Sequence, residues 1–194
     1  MPATTRPRGA ARREALLEAV LHIVAETGAD SVTHRRVAEV AELPLASTTY
    51  WFSSKEHLLT AALELAAERD IARLTAYAAQ RSDDEPIDAI VSLVLDPVED
   101  GLRTSRGSLI ATYTLLLEAA RRPALREIAV RWTDAYLDAG RELLERAGSS
   151  DPTGDAKLLV AAADGLLIEE LSRGRRSNLR PRLRRLAAAL IAQR

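Results

Sequence analysis

The stretch TTYWFSSKEHLL, Thr48 to Leu59, gathers the side chains of this chain best suited to grip a polar partner. Of seven aromatic residues in 194, three stand in a row at Tyr50, Trp51 and Phe52. Two threonines precede them, and two serines and the first lysine, Lys55, follow. Hydroxyl, phenol, indole N–H and ammonium groups all donate to phosphate oxygens, and short side chains among them can touch base edges. Bond-making chemistry has far less support. The three histidines, His22, His34 and His57, form no His-x-x-x-His pair, and there is no cysteine to ligate a metal or act as a nucleophile. No G-x-S-x-G, P-loop or glycine-rich dinucleotide turn occurs. Adjacent carboxylates such as Glu169 and Glu170 would point ~100° apart on a helix and fail to converge. The expectation is a protein with no catalytic residues, no metal and no cofactor.

Charge is partitioned along the chain although the net value is −1. Arg6, Arg8, Arg12 and Arg13 form a basic start, predicted to be a disordered arm, and residues 1–57 balance seven bases against seven acids. Residues 58–171 hold twelve basic and twenty-one acidic side chains, whereas eight arginines and no acid follow from Ser172 onward. Such asymmetry points towards nucleic acid, although solvated helix surfaces account for it equally well. No signal-peptide core follows the basic start, and the longest apolar run, Leu158 to Ile168, is interrupted by Asp164 and too short to span a bilayer. A cytoplasmic protein without a membrane partner is expected.

The elements that must position these groups read as helices throughout. Alanine, leucine, arginine and glutamate dominate, and proline and glycine fall between periodic stretches. A first helix runs from Ala11 to Thr27 and stops at Gly28. Thr33 caps a short helix through Ala41, ELP breaks the chain at 42–44, and a second short helix spans Leu45 to Trp51. Ser53 and Glu56 read as a capping box that starts a long helix at Ser54, reaching about Gln80. Later helices are predicted at about Pro86–Asp96, Val98–Thr104, Ser105–Arg121, Pro123–Ala147, Asp155–Arg173 and Arg180–Ala192. The fold class is all-α, with nine or ten helices.

Two short helices joined by a tight turn, with small Ala38 in the first, form a helix-turn-helix pattern. Val37, Ala38, Ala41, Leu43, Thr48 and Phe52 should face inward, leaving Ala46, Ser47, Thr49 and Tyr50 outward. Here the chain resembles the TetR family of transcriptional regulators, in THRRVAEVAELPLASTTYWFSSKEHLL (Thr33 to Leu59) and the preceding helix RREALLEAVLHIVAETGADSV. The resemblance implies an N-terminal three-helix DNA-binding head over residues 1–53 and a C-terminal helical ligand-binding and dimerisation domain over 54–194. It places Thr33, His34, Arg35 and Arg36 near phosphates, Ala46, Ser47, Thr49 and Tyr50 in the groove, and Lys55 as a clamp on the backbone. Two positions depart from the family pattern. The turn glycine is Glu42, which would cost ~1 kcal/mol in a left-handed backbone, and the usual tyrosine is Thr49, one place before Tyr50.

The resemblance also implies a homodimer that binds double-stranded operator DNA and a small-molecule effector. Within the body, the helix over 156–171 is apolar nearly all round, so it can pack on its own domain and on a symmetry mate, with small Ala161, Ala162 and Gly165 allowing close approach. The helix over 123–147 is the expected second member of that interface. Tyr113, Glu118, Trp132 and Tyr136 are the candidate pocket residues, set among leucines as in ligand cavities and equally in ordinary cores. The most favoured function is a repressor released from its operator by the effector. The alternatives are a helical adaptor using Arg180, Arg182, Arg184 and Arg185, and, behind it, an all-α enzyme.

Overall fold

The computed structural model describes residues 8–80, 85–104, 106–174 and 178–192, and every regular element among them is helical. The order is α1 (Arg8–Thr27), α2 (His34–Val40), α3 (Leu45–Trp51), α4 (Lys55–Gln80), α5 (Pro86–Thr104), α6 (Arg106–Glu118), α7 (Pro123–Arg146), α8 (Pro152–Arg173) and α9 (Arg180–Ile191), with a 3-10 turn at Ala29–Ser31 after α1.

Two compact units emerge. The first joins the chain up to Glu68 with Arg106–Ala129, and the second joins Arg69–Ser105 with Val130–Arg194. Packing thus gathers more around the head than the 1–53 segment: the first half of α4 and all of α6 belong with it. In the first unit α1 supplies the floor. Leu16, Leu17, Val20, Ile23 and Val24 recur at helical spacing and are all fully buried. At Gly107 of α6 an added Cβ would lie 3.6 Å from Ala25, so the missing side chain lets α6 lie close along α1.

The second unit is cored by Ile90, Val91 and Leu95 of α5, Leu159 and Ala163 of α8, and Leu183, Ala187 and Leu190 of α9. An added Cβ at Gly140 of α7 would sit 3.6 Å from that of Ala156. On α8 the burial is one-sided. Ala156, Leu159, Ala163 and Leu167 are buried, whereas Leu158, Ala161, Gly165 and Ile168 are exposed.

Three expectations are corrected. The helix predicted to break at Pro97 is one element, Pro86–Thr104, with Pro97 inside it. Pro97 has no N–H for the Leu93 carbonyl, but Ile90, Val91, Leu93 and Leu95 are buried on the same element, and that packing overrides the break. At the start of α1 the helix begins at Arg8, so Arg8, Arg12 and Arg13 belong to α1 rather than to a disordered arm. Arg6 lies outside the described residues. The start of α4 is capped one residue later than predicted. Ser54, not Ser53, accepts from the backbone N–H of His57 at 3.0 Å, and His57 Nδ1 in turn accepts from Ser53 N–H at 3.4 Å. His57 takes the role the sequence suggested for Glu56, because the cap sits at 54 and the third helical position is then 57.

Candidate functional site

The helix-turn-helix is held by a few short contacts. Thr33 caps α2 by accepting from Arg36 N–H at 3.2 Å, as its position predicts. Leu43 N–H donates to the Ala38 carbonyl at 3.0 Å across the turn, and Glu42 there adopts φ 54, the left-handed conformation glycine favours. The departure seen in the sequence is therefore a real strain.

Thr48 is fully buried, and its hydroxyl donates to the Leu45 carbonyl at 2.8 Å. His34 Nδ1 lies 3.2 Å from the same oxygen. A threonine hydroxyl has one proton, already given to Leu45, so His34 Nδ1 must be the donor here. This bond ties α2 to α3, leaving Nε2 of His34 as its remaining polar atom.

Val37, Ala38 and Phe52 are buried as expected, while Ala41 and Leu43 are half-buried. Phe52 meets His57 edge-on at 5.3 Å and lies 5.7 Å beneath the Arg13 guanidinium. Ala46, Thr49 and Tyr50 are exposed and Ser47 is half-buried, so α3 presents the small and hydroxylated row the sequence indicated. Tyr50 is 79% exposed and touches Trp51 edge to face at 5.0 Å. Trp51 is half-buried, its indole ring packed where Gly9 of α1 leaves room, 3.5 Å from where a Cβ would stand. It thus serves the core more than its aromatic neighbour does.

Around this surface stand Arg35, which reaches Glu39 at 3.0 Å, and Arg36, both exposed. Lys55 sits in the first turn of α4, where unpaired N–H groups and the helix dipole favour an anion. Its ammonium donates to the Asp30 carbonyl at 2.8 Å and lies 3.6 Å from the Asp30 carboxylate. Arg122 approaches the same carboxylate at 3.4 Å and is held by Glu118 at 2.8 Å. Glu118, a candidate pocket residue, therefore anchors Arg121 and Arg122 within the first unit. The hydrogen bond from Arg122 pulls its carboxyl below the ordinary value against the opposing effect of burial, with Arg121 adding to the pull.

Tyr113 is half-buried on α6 in the same unit. Trp132 and Tyr136 belong to the second unit, and they converge. Trp132 Nε1–H donates to Asp70 Oδ2 at 2.9 Å and Tyr136 O–H donates to the same oxygen at 2.5 Å, while Arg73 pairs with Asp70 Oδ1. Asp70 is buried, so this carboxylate joins α4 to α7. Sequence reading missed Asp70; its only trace was an acidic residue in register with the apolar face of α4.

A cavity of about 850 Å³ opens in the same unit, lined by the second half of α4, by α5 and by the approach to α9. Its walls include Arg73, Leu74, Leu93, Asp96, Glu99 and Arg180, but neither Trp132 nor Tyr136. The adaptor alternative groups Arg180 with Arg182, Arg184 and Arg185 as one basic contact surface. Those three are exposed, but Arg180 turns inward to Asp96, Glu99 and Ser92. Among the described residues there is no group of His, Cys, Asp or Glu side chains that could hold a metal, and no helix long and apolar enough to cross a membrane.

A buried-core helix-turn-helix whose second helix stands exposed, next to the N-terminus of a long helix that bears Lys55 and joined to a helical body, defines a DNA-binding transcriptional regulator. Residues 81–193 match the family model described as Tetracyclin repressor-like, C-terminal domain. The HTH-type transcriptional regulator PksA of Bacillus subtilis (strain 168) is 25% identical over 167 residues, which are 82% of this chain and 78% of PksA. The crystal structure of multidrug binding protein EbrR with imidazole is 31% identical, with TM-score 0.70, covering 94% of this chain and 96% of EbrR. EbrR has also been solved with ethidium and with proflavin. A TetR-family member from Streptomyces coelicolor A3 is 30% identical, with TM-score 0.74 and coverage of 95% and 98%. This chain belongs to the TetR family of transcriptional regulators.

Proposed function

We propose that the protein is a homodimeric repressor that binds a two-fold-related operator and leaves it when a small molecule binds the body. The observation that carries this reading is the surface of α3: Ala46, Thr49 and Tyr50 project beside Lys55 at the start of α4. In this reading Ala46, Ser47, Thr49 and Tyr50 read base edges and nearby sugar-phosphate and Thr33, Arg35, Arg36 and Lys55 hold phosphates, while His34, whose Nδ1 proton goes to Thr48, sets α2 against α3. Lys55 keeps two ammonium protons for DNA after donating to Asp30.

The exposed strip Leu158, Ala161, Gly165 and Ile168 on α8 supports self-association, since its spacing of three and four makes one apolar face. Its companion is α7 or α9: α7 exposes Ala124 and Val130 among polar and charged positions, and α9 exposes Ala188 and Ala189 beside Arg182, Arg184 and Arg185. EbrR, similar over nearly the whole chain, is described as a multidrug binding protein and supports a small-molecule effector here. Trp132 and Tyr136 would influence the response through Asp70, and Tyr113 and Glu118 through α6.

A mobility-shift titration on the DNA upstream of its own gene, against random DNA of equal length, tests the reading. Specific binding is expected to exceed random binding by about a thousandfold or more at physiological salt. Equal affinity for both would overturn it.

A further inference from the structure

The cavity in the second unit has walls of two kinds. Leu74, Leu93 and Leu102 are apolar, and the charged groups are Asp96, Glu99 and Asp100 of α5 with Arg73 and Arg180. Its volume of about 850 Å³ is in the range that takes a drug-sized molecule. Three carboxylates and two guanidinium groups line the space, and Arg73 is shared with Asp70 outside the lining.

Arg180 is the group that fills this acidic side. Its Nη2 donates to Asp96 Oδ1 and, at 2.9 Å, to Glu99 Oε2, its Nε to Glu99 Oε2 at 3.3 Å, and its Nη1 to Ser92 Oγ at 3.0 Å. Asp96 and Glu99 are three apart on α5 and share a face, so one cation can meet both. The arrangement is not sealed: the side chains of Arg180, Asp96 and Glu99 are 38%, 28% and 40% exposed. Burial disfavours the Arg180 charge, but hydrogen bonds to Glu99 and Asp96 outweigh it and raise its pKa above the ordinary guanidinium value.

We propose that this cavity takes an organic cation with an apolar body, and that Arg180 is an internal occupant which that cation displaces. The proposal rests on the reading of the protein as an effector-controlled regulator and assigns the effector its chemistry and place. The positive group of the ligand would sit between Asp96 and Glu99, and its apolar part would leave water against Leu74, Leu93 and Leu102. An anion would instead meet the excess of carboxylates. Displacement has a structural consequence. Arg180 is the first residue of α9, so its release removes the ion pairs that hold the start of that helix to α5 and leaves the pair of Arg184 with Asp88 further along. If Arg180 fills the site nine-tenths of the time, it weakens apparent cation affinity about tenfold.

The test is calorimetric titration of the full-length protein with tetraphenylphosphonium, a cation with an apolar shell, beside the neutral triphenylphosphine oxide. Wild type should bind the cation and bind the neutral compound far less. Arg180→Gln should bind the cation about tenfold more tightly, because the competitor is gone. Adding Asp96→Asn and Glu99→Gln to that variant should abolish the gain. Unchanged or weaker binding by a folded Arg180→Gln, or equal binding of the neutral compound, overturns the proposal. Should Arg180→Gln not fold, Arg180→Lys answers the same question: it keeps the charge but not the fork, so about threefold tightening is expected and no tightening refutes. DNA binding by the ligand-free wild type is measured separately. Its absence would remove the regulator reading and leave the calorimetric result to stand on its own.

Discussion

At the scale of single residues, the proposed DNA contacts of Lys55 and Thr49 differ in kind. Lys55 is a point charge in the first turn of α4, steadied by Asp30, and a point charge contacts phosphate without regard to sequence. Lys55→Ala should weaken binding equally on operator and random DNA and lower the salt slope by about one unit. Anisotropy titrations across a salt series check this, and a changed sequence preference with an intact slope would contradict it. Thr49→Ala should instead redistribute preference among operator variants, since its side chain is exposed on the row of α3 proposed to face the groove. Away from DNA, Asp70 accepts from both Trp132 and Tyr136 in a buried place. Trp132→Phe keeps most of the packing and removes one of those bonds, so a loss of about 1 kcal/mol in unfolding free energy, read as a lower urea midpoint, is expected. Glu118 sets a pH dependence. Its folded pKa lies below 4.5, so its ion pairs with Arg122 and Arg121 contribute above pH 4.5 and are lost as pH falls through the lower folded value. Glu118→Gln should therefore flatten the acid-side decline of Tm relative to wild type.

At the scale of elements, most of the helices could be read in advance and their errors have causes. Periodic leucines, Thr33 as a cap and the buried trio Val37, Ala38 and Phe52 were legible because local patterns and packing agree there. The break expected at Pro97 did not occur, because a proline signals the loss of one hydrogen bond while burial along the whole of α5 supplies more. The cap of α4 was misplaced by one residue because Ser53 and Ser54 are adjacent and only geometry shows which accepts from His57. Asp70 and Arg180 were invisible as partners, since their contacts join residues 62 and 84 positions apart. The turn between α2 and α3 was legible in both sequence and strain. Glu42→Gly should relieve the left-handed backbone at φ 54 and stabilise by about 1 kcal/mol, or about 3 °C in Tm for a chain of this size. On α8, Gly165 has open space around it and its neighbours Leu158 and Ile168 are exposed. Gly165→Arg should leave the circular dichroism spectrum intact while shifting the protein from dimer to monomer in sedimentation. A dimer retained by this variant would exclude the α8 strip as the contact.

At the scale of the whole molecule, the proposed repressor works as two copies presenting α3 to one duplex. In that reading the basic side chains of the head face a polyanion, while the acid excess of residues 58–171 belongs to the body. A two-fold pair of heads requires recognition helices about one turn of DNA apart, ~35 Å, because successive major grooves on one face of B-DNA have that spacing. Affinity for each half-site alone would be weak, and joining the heads through the bodies makes the second contact intramolecular. A ligand that prefers the DNA-free form 100-fold can weaken operator binding by no more than that factor per site, ~2.7 kcal/mol. The most direct measurement is hydroxyl-radical footprinting of the upstream DNA with wild type and Gly165→Arg side by side. Wild type should protect two half-sites of inverted sequence about one helical turn apart, and the variant should protect neither at the same concentration. A single protected half-site for wild type, or identical footprints for the two proteins, would contradict the account.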